Sequence, residues 1–228
     1  MSLAELLPPE GFRQRGPLPT GTRLLMIRHG EAVANARGLA GGPLGDGGLT
    51  ELGRRQAGAL ARRLNVTREL ASASALYTST LPRAIETGAI VRTAINPELV
   101  AVADDSLCEL GVGEADGMTW TQIAERYPLP DWDRDPSQLN VPGGESLLEF
   151  FQRCVDAIDR VVARHPHELV VLVVHGGFIE QAMKLYQGLA GGVRLQARIE
   201  HCSMTEIEFD GARRRLLRYN DLSPIGVE

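Results

Sequence analysis

Two stretches of this 228-residue chain constrain its fold more than any others. Leu24-Leu25-Met26-Ile27 and Leu169-Val170-Val171-Leu172-Val173-Val174 are apolar runs with no polar alternation. A strand that shows one face to water alternates, whereas a run apolar on both faces belongs inside a parallel sheet covered by helices on both sides. Both runs stop abruptly. The first leads into Arg28-His29-Gly30-Glu31, the second into His175-Gly176-Gly177. In open α/β sheets, ligands collect outside the carboxyl ends of the strands. A cation and two imidazoles are therefore predicted at the edge where such a fold does its chemistry. The glycines let the chain turn sharply and a ligand come close. The chain has five histidines, and two of them closing apolar runs in matching contexts favours a functional reading over a structural one.

Composition excludes several classes of function. The length suits one large domain with a substantial core. Hydrophobic residues make up 43% and charged residues 23%, with a net charge of −5. There is thus no global basic field to attract nucleic acid or an anionic membrane. No apolar run approaches the roughly 20 residues of a membrane span, and no basic segment followed by an apolar core marks a secretory signal. The three cysteines, Cys108, Cys154 and Cys202, are odd in number and lack a C-x-x-C spacing. Neither a disulfide framework nor a zinc site is expected from them, and a reducing cytoplasm fits best. Residues 1–21, with four prolines and three glycines, are expected to form an N-terminal arm, and residues 22–228 a single domain.

Along the chain, residues 36–48 form a glycine-rich loop without a basic anchor at P-loop spacing, a weak phosphate signal and more simply a flexible connection. Thr50 is placed to cap a helix carrying Leu52, Ala59, Leu60 and Leu64. A short strand from Ala75 to Thr78 precedes Ser79-Thr80-Leu81-Pro82-Arg83-Ala84-Ile85-Glu86-Thr87. Pro82 suits a first helical turn, and a hydroxyl from Ser79 or Thr80 is the expected cap. Arg83 then lies at the positive end of a helix, an anion site by side chain and by dipole. The bland alternative is a surface arginine paired with Glu86. A further strand is expected over Leu99 to Ala103, and a helix over Gly117 to Tyr127 capped by Asp116 or Thr119. Residues 128–142, rich in Pro and Asp, are expected to lie over the pocket with Trp132 as their one large anchor. Ser146 and Glu149 have capping-box spacing ahead of an apolar stripe from Leu147 to Val162 that includes Cys154. A helix is expected just beyond His175, and a hairpin turning at Asp210-Gly211 near the end.

The segment Arg28-His29-Gly30-Glu31 resembles the signature of the histidine phosphatase superfamily, which includes the cofactor-dependent phosphoglycerate mutases. Leu49-Thr50-Glu51-Leu52-Gly53 with Gln56-Ala57, the Ser79–Thr87 stretch, and Glu109 with Gly113 and Gly117 are similar to further family motifs in the family's order, over about Arg23 to Tyr219. The resemblance implies a three-layer α-β-α sandwich with a mostly parallel central sheet, of the phosphoglycerate mutase-like type. It implies His29 as the nucleophile that forms a phosphohistidine, and Glu109 as proton donor, with Glu114 as the alternative acid. Arg28, Arg83, His175 and Asn35 are the implied phosphate-binding set. Beside the family pattern, Arg83 is read as a phosphate ligand and not as the partner of Glu86. No metal and no cofactor are expected, since the arginines supply the charge that magnesium supplies elsewhere. His201 stands where relatives often carry asparagine and is expected either to touch substrate or to play a structural or exposed role.

Two departures narrow the reading. A Gln-Gly pair usual near the family's pocket is replaced by Ala40-Gly41. The basic stretch of phosphoglycerate mutases between the acid motif and the second histidine is here Asp131, Asp133 and Asp135 around Arg134. A phosphatase of small phosphorylated metabolites is therefore preferred to a mutase, with a non-catalytic binder of phosphorylated ligands as the third reading. The family also makes a homodimer plausible.

Overall fold

The computed structural model describes residues 20–222 apart from 194 and 196. The expectations for residues 1–19, most of the arm, and for residues 223–228 lie outside the described residues. Among the described residues six strands form one sheet: β1 (Thr22–Arg28), β2 (Ala73–Thr78), β3 (Ala101–Ala103), β4 (Leu169–Val174), β5 (Met204–Asp210) and β6 (Arg213–Asp221). Six α-helices accompany them: α1 (Val33–Arg37), α2 (Glu51–Thr67), α3 (Pro82–Ile95), α4 (Trp120–Arg126), α5 (Leu147–Arg164) and α6 (Gly176–Gln187). The strand order is β3-β2-β4-β1-β5-β6. β3, β2, β4 and β1 run parallel, and the closing hairpin adds β5 and β6 antiparallel.

The two apolar runs are neighbours at the centre of this sheet, which is why neither alternates. Leu24, Met26, Val170, Leu172 and Val174 pack on one face with Phe150, Cys154, Ile158 and Val161 of α5 and Phe178, Ile179 and Ala182 of α6. Leu25, Ile27, Val171 and Val173 pack on the other with Ala57, Leu60 and Leu64 of α2 and Ala84, Val91 and Ile95 of α3. The result is the three-layer α-β-α sandwich, with a sheet that is parallel over four strands and mixed at one side.

Register sets the site. Arg28 lies opposite Val174 in the parallel β1–β4 pair, and the His29 N–H donates to the Val174 carbonyl at 3.0 Å. His29 and His175, one residue beyond each strand, therefore leave the sheet at the same level. Gly30 is needed there because a Cβ would meet the Gly53 carbonyl oxygen at 2.5 Å, and a Cβ on Gly53 would strike the Glu31 carbonyl in return. This mutual approach seats the start of α2 against the His29 turn.

Local expectations held in most places and shifted in a few. Ser146 and Glu149 form their capping box at α5, Thr50 caps α2, and Cys154 is core. β3 is shorter than expected, at Ala101–Ala103, because Leu99 turns into the core beside α3 instead of extending the edge. α3 has Leu81 at its N-cap with no side-chain cap. The hydroxyls expected there are committed elsewhere, Thr80 to Asp105 at 2.6 Å and Ser79 to the site. α4 is capped by Thr119 with Gln122 in a capping box. Among the described residues no helix is long and apolar enough to cross a membrane.

Candidate active site

His29 is buried at the carboxyl end of β1. Its Nδ1–H donates to the Gly30 carbonyl at 2.7 Å. That bond selects the tautomer in which Nε2 carries a lone pair, and Arg83 Nε donates to this Nε2 at 3.1 Å. The same Arg83 N–H lies 3.2 Å from Nδ1 of His175, whose Nε2–H donates to Ser79 Oγ at 2.7 Å. The two imidazole centroids are 5.1 Å apart. Burial, reinforced by the Arg83 charge, holds both imidazoles well below the ordinary histidine range. Two neutral rings thus present acceptor nitrogens around one guanidinium.

Arg83 is buried in the first turn of α3 and is not the surface partner of Glu86, which instead pairs with Arg54 at 2.9 Å. Its partner is Asp46, a residue the sequence did not single out. Asp46 is fully buried, forms a salt bridge with Arg83 Nη1, and accepts the backbone N–H groups of Arg83 at 3.2 Å and Gly48 at 2.8 Å. Arg83 Nη1 also donates to the Gly41 carbonyl at 2.8 Å. The glycine-rich loop is therefore a fastened cradle and not a loose connection. Asp116, expected as a possible helix cap, fastens its other side by accepting from the amides of Gly42, Leu44 and Gly45 at 2.9, 2.7 and 2.8 Å. A lone aspartate among glycines was the only signal in the sequence.

Because an unpaired buried charge is costly, Asp46→Asn is expected to destabilise the fold by about 3 kcal/mol in urea denaturation. Inorganic phosphate should then raise the variant's midpoint more than that of wild type, since the anion replaces the missing charge beside Arg83. Equal shifts would show that Arg83 does not rely on Asp46 for its neutralisation.

Arg28 is half-buried, with Nη1 donating to the Ile199 carbonyl at 2.5 Å and a buried Nε that has no hydrogen-bond partner among the described residues. Asn35, on α1, lines the pocket and accepts the Ala32 amide at 3.1 Å through its side-chain oxygen. Glu109 faces the amino end of α6: its carboxylate accepts the N–H groups of Gly177 at 2.9 Å and Leu110 at 3.1 Å. A Cβ on Gly177 would collide with that carboxylate. Glu114 is exposed and receives the Tyr127 hydroxyl at 3.1 Å. Of the two acids, Glu109 is the one in the pocket wall.

Arg28, His29, Asn35, Arg83, Glu109 and Trp132 all line one pocket of about 360 Å³. His175 closes the group from below through Arg83. Trp132 is half-buried and its indole N–H donates to the Gln138 carbonyl at 2.9 Å, so residues 128–142 do reach the pocket. A second indole, Trp120, lines it as well; the sequence reading placed it on a helix without a role. His201 is half-buried, its ring centroid 5.6 Å from that of His29 and its Nε2 buried without a partner among the described residues. It packs beside the site and is not an exposed residue. Burial and the Arg28 charge lower its pKa to about 4. Among the described residues, no group of three or more His, Cys, Asp or Glu side chains is placed to hold a metal ion.

These three histidines make stability depend on pH. Each is neutral in the folded protein and titrates near 6.5 when unfolded. Below that pH the unfolded chain binds more protons, so the stabilisation is fully present above about 6.5 and is lost as pH falls. For His201 the loss runs from about 6.5 down to about 4. His29 and His175 continue it to lower pH. Urea titrations in a phosphate-free buffer should show a falling midpoint below about pH 6.5; a flat profile between pH 7 and 5 would contradict the neutral assignment.

The family model of the histidine phosphatase superfamily (branch 1) matches residues 24–222. The metal-independent phosphoserine phosphatase of Arabidopsis thaliana is 32% identical over 183 residues, covering 78% of this chain and 74% of the relative. Among solved structures, Bacillus stearothermophilus YhfR superposes with a TM-score of 0.77 at 30% identity, over 90% of this chain and 99% of that one. A mycobacterial glucosyl-3-phosphoglycerate phosphatase in complex with VO3 gives a TM-score of 0.71 at 28% identity, over 87% and 98%.

Proposed function

The chain belongs to the histidine phosphatase superfamily, branch 1, and from that premise we propose that it is a metal-independent phosphomonoesterase of small phosphorylated metabolites. The observation that carries the reading is the His29 ring: neutral, fixed by Gly30 through Nδ1, with the Nε2 lone pair turned toward Arg83 on the pocket floor. Phosphoryl transfer asks the protein for positioning and for charge on the equatorial oxygens. Arg28 and Arg83 offer planar forks of donors for those oxygens, and Asn35 adds an amide. His175 joins them from Nδ1 on taking up a proton, which a bound dianion favours.

In the first step His29 Nε2 attacks phosphorus and the ester P–O bond breaks. The leaving oxygen takes a proton from Glu109. The step starts with that proton on the Glu109 carboxyl group; it departs with the alcohol and leaves Glu109 as the carboxylate. In the second step Glu109 takes a proton from water, the water oxygen attacks phosphorus, and the P–N bond breaks. Inorganic phosphate leaves, and His29 returns to the neutral tautomer with its Nδ1–H still on Gly30. Each group is used twice, as microscopic economy in a two-step displacement requires.

The testing experiment is phosphate release from p-nitrophenyl phosphate and a set of alkyl phosphomonoesters between pH 5 and 8, with EDTA present. Release is expected throughout the set. No release, together with isomerisation of 3-phosphoglycerate on addition of 2,3-bisphosphoglycerate, would replace the phosphatase by a mutase. No turnover of either kind, with phosphate still bound, would leave a binding protein.

A further inference from the structure

The pocket holds more than a phosphate needs, and its remaining lining is chemically one-sided. Arg28 and Arg83 are the cations that line it among the described residues. Both belong to the His29 cluster, Arg83 already shared with Asp46. Other cations near this region are turned elsewhere. Arg153 forks onto Glu145, at 2.7 Å from both Nε and Nη2, and onto the carbonyls of residues 106, 108 and 109. Lys184 is fully buried, its ammonium on the Gln181 side-chain oxygen at 3.0 Å and near the Gly191 carbonyl at 3.4 Å. Gln181 does line the pocket, but its other end donates to the Gly177 carbonyl at 3.3 Å. The acids Glu109 and Glu180 line the same space.

Apolar groups make up the rest, chief among them Leu39, Leu110, Val112, Phe150, Trp120 and Trp132. Trp120 is 62% exposed. A large ring held open to solvent at a pocket mouth is the sort of exposed apolar surface that a ligand covers. Trp120 has its backbone fixed, and Trp132 has its indole fixed as well. Trp120 is the first residue of α4, directly after the Thr119 capping box, and Trp132 is tied through its N–H to Gln138. Aromatic faces gain most from a ring-bearing or similarly flat apolar group. A carboxylate placed there would lose its water, find among the described residues no cation beyond the two of the His29 cluster, and meet two glutamates, an arrangement that rejects as well as selects.

We propose that the substrate is a phosphomonoester whose alcohol part is uncharged and apolar, with a ring or comparable flat group that packs on Trp120 and Trp132, and that esters bearing a carboxylate are poor substrates. This rests on the phosphomonoesterase reading and adds the substrate class to it. It also separates this chain from the activity named for its phosphoserine phosphatase relative.

The experiment compares esters of primary alcohols, so that the leaving oxygens are chemically alike. 2-Phenylethyl phosphate, glycerol 3-phosphate, O-phosphoserine and 3-phosphoglycerate are assayed for phosphate release with wild type, W120A and W132A, and p-nitrophenyl phosphate reports catalytic competence. Wild type is expected to show kcat/KM for 2-phenylethyl phosphate about 10-fold to 100-fold above the two carboxylate esters, mainly through KM. The ratio of 2-phenylethyl to glycerol ester should fall about tenfold in each tryptophan variant. A ratio is independent of the folded fraction, so a weakened variant still gives an answer. If p-nitrophenyl phosphate is hydrolysed but phosphoserine or 3-phosphoglycerate is preferred, or if both variants leave the ratio unchanged, the substrate class is wrong while the phosphatase stands. If nothing releases phosphate, the phosphatase reading falls and this inference with it.

Discussion

His29→Ala is expected to lower kcat for every phosphomonoester by about 10⁴-fold or more, because in the proposed mechanism the residue supplies the only bond made to phosphorus by the protein. The loss should be one of chemistry and not of binding. Arg28 and Arg83 come from a strand end and a helix start that do not depend on the ring, so phosphate or vanadate should still bind. Two costs accompany the change: the Gly30 carbonyl loses its donor and Arg83 loses an acceptor. Together these amount to about 1–3 kcal/mol, which thermal denaturation with and without phosphate will reveal. The direct check is to mix wild type with a ³²P-labelled ester and quench rapidly. A label on the protein that survives alkali and is lost in acid identifies a P–N bond, and it must be absent from the variant. Turnover unaffected by the substitution would dismiss the phosphohistidine and leave direct attack by water.

Glu109→Gln is expected to show the second-largest effect, with a signature that a structural role cannot imitate. The amide is isosteric, and its oxygen can still accept from Gly177 or Leu110, but it cannot carry a proton between steps. For alkyl esters kcat should fall by about 10² to 10⁴-fold, the usual worth of a general acid. p-Nitrophenolate leaves without a proton, so the first step with p-nitrophenyl phosphate should be much less affected. The second step, for which the proposed mechanism uses the same carboxylate as base, should stall. The expected outcome is a burst of about one equivalent of p-nitrophenolate per enzyme followed by slow turnover. Equal losses for both kinds of ester without a burst would mean that Glu109 only shapes the pocket.

The parts of the site that were legible in the sequence are those governed by short-range rules. His29 and His175 were visible because each closes an apolar run, His175 at once and His29 after Arg28, and each is followed by glycine. Arg83 and Glu109 stood out only through short motifs that resemble the family's, since by local chemistry Arg83 reads as a surface residue paired with Glu86 and Glu109 as a carboxylate on a turn. What escaped were residues whose meaning depends on partners far along the chain. Asp46 acts on Arg83 across 37 positions, and nothing local distinguishes it from any loop aspartate. Ser79, like Thr80, is an expected helix cap because it stands just ahead of Pro82. It does accept the Leu81 amide at 3.1 Å, but its other partner is His175, 96 positions on. Asp116 was offered as a cap for α4 because it stands close to that helix in sequence; Thr119, with Gln122 in reach, takes the task, and Asp116 binds loop amides more than 70 positions away. His201 was marked only by standing where relatives often carry asparagine, which left its place open; it lies against His29.

By itself the sequence determined the layers, the buried central strands, most of the helix caps and the side chains gathered at the sheet edge, since burial on two faces, helix capping and strand-end placement are decided by residues within a few positions of one another. Only the tertiary structure decided which nitrogen of His29 is open, that Asp46 balances Arg83, that Glu109 and not Glu114 faces the pocket, and that two tryptophans form its wall. Those outcomes depend on the parallel register of β1 with β4 and on how the loops beyond them fold back. The distances and buried charges that set a proton's position exist only once distant segments have met.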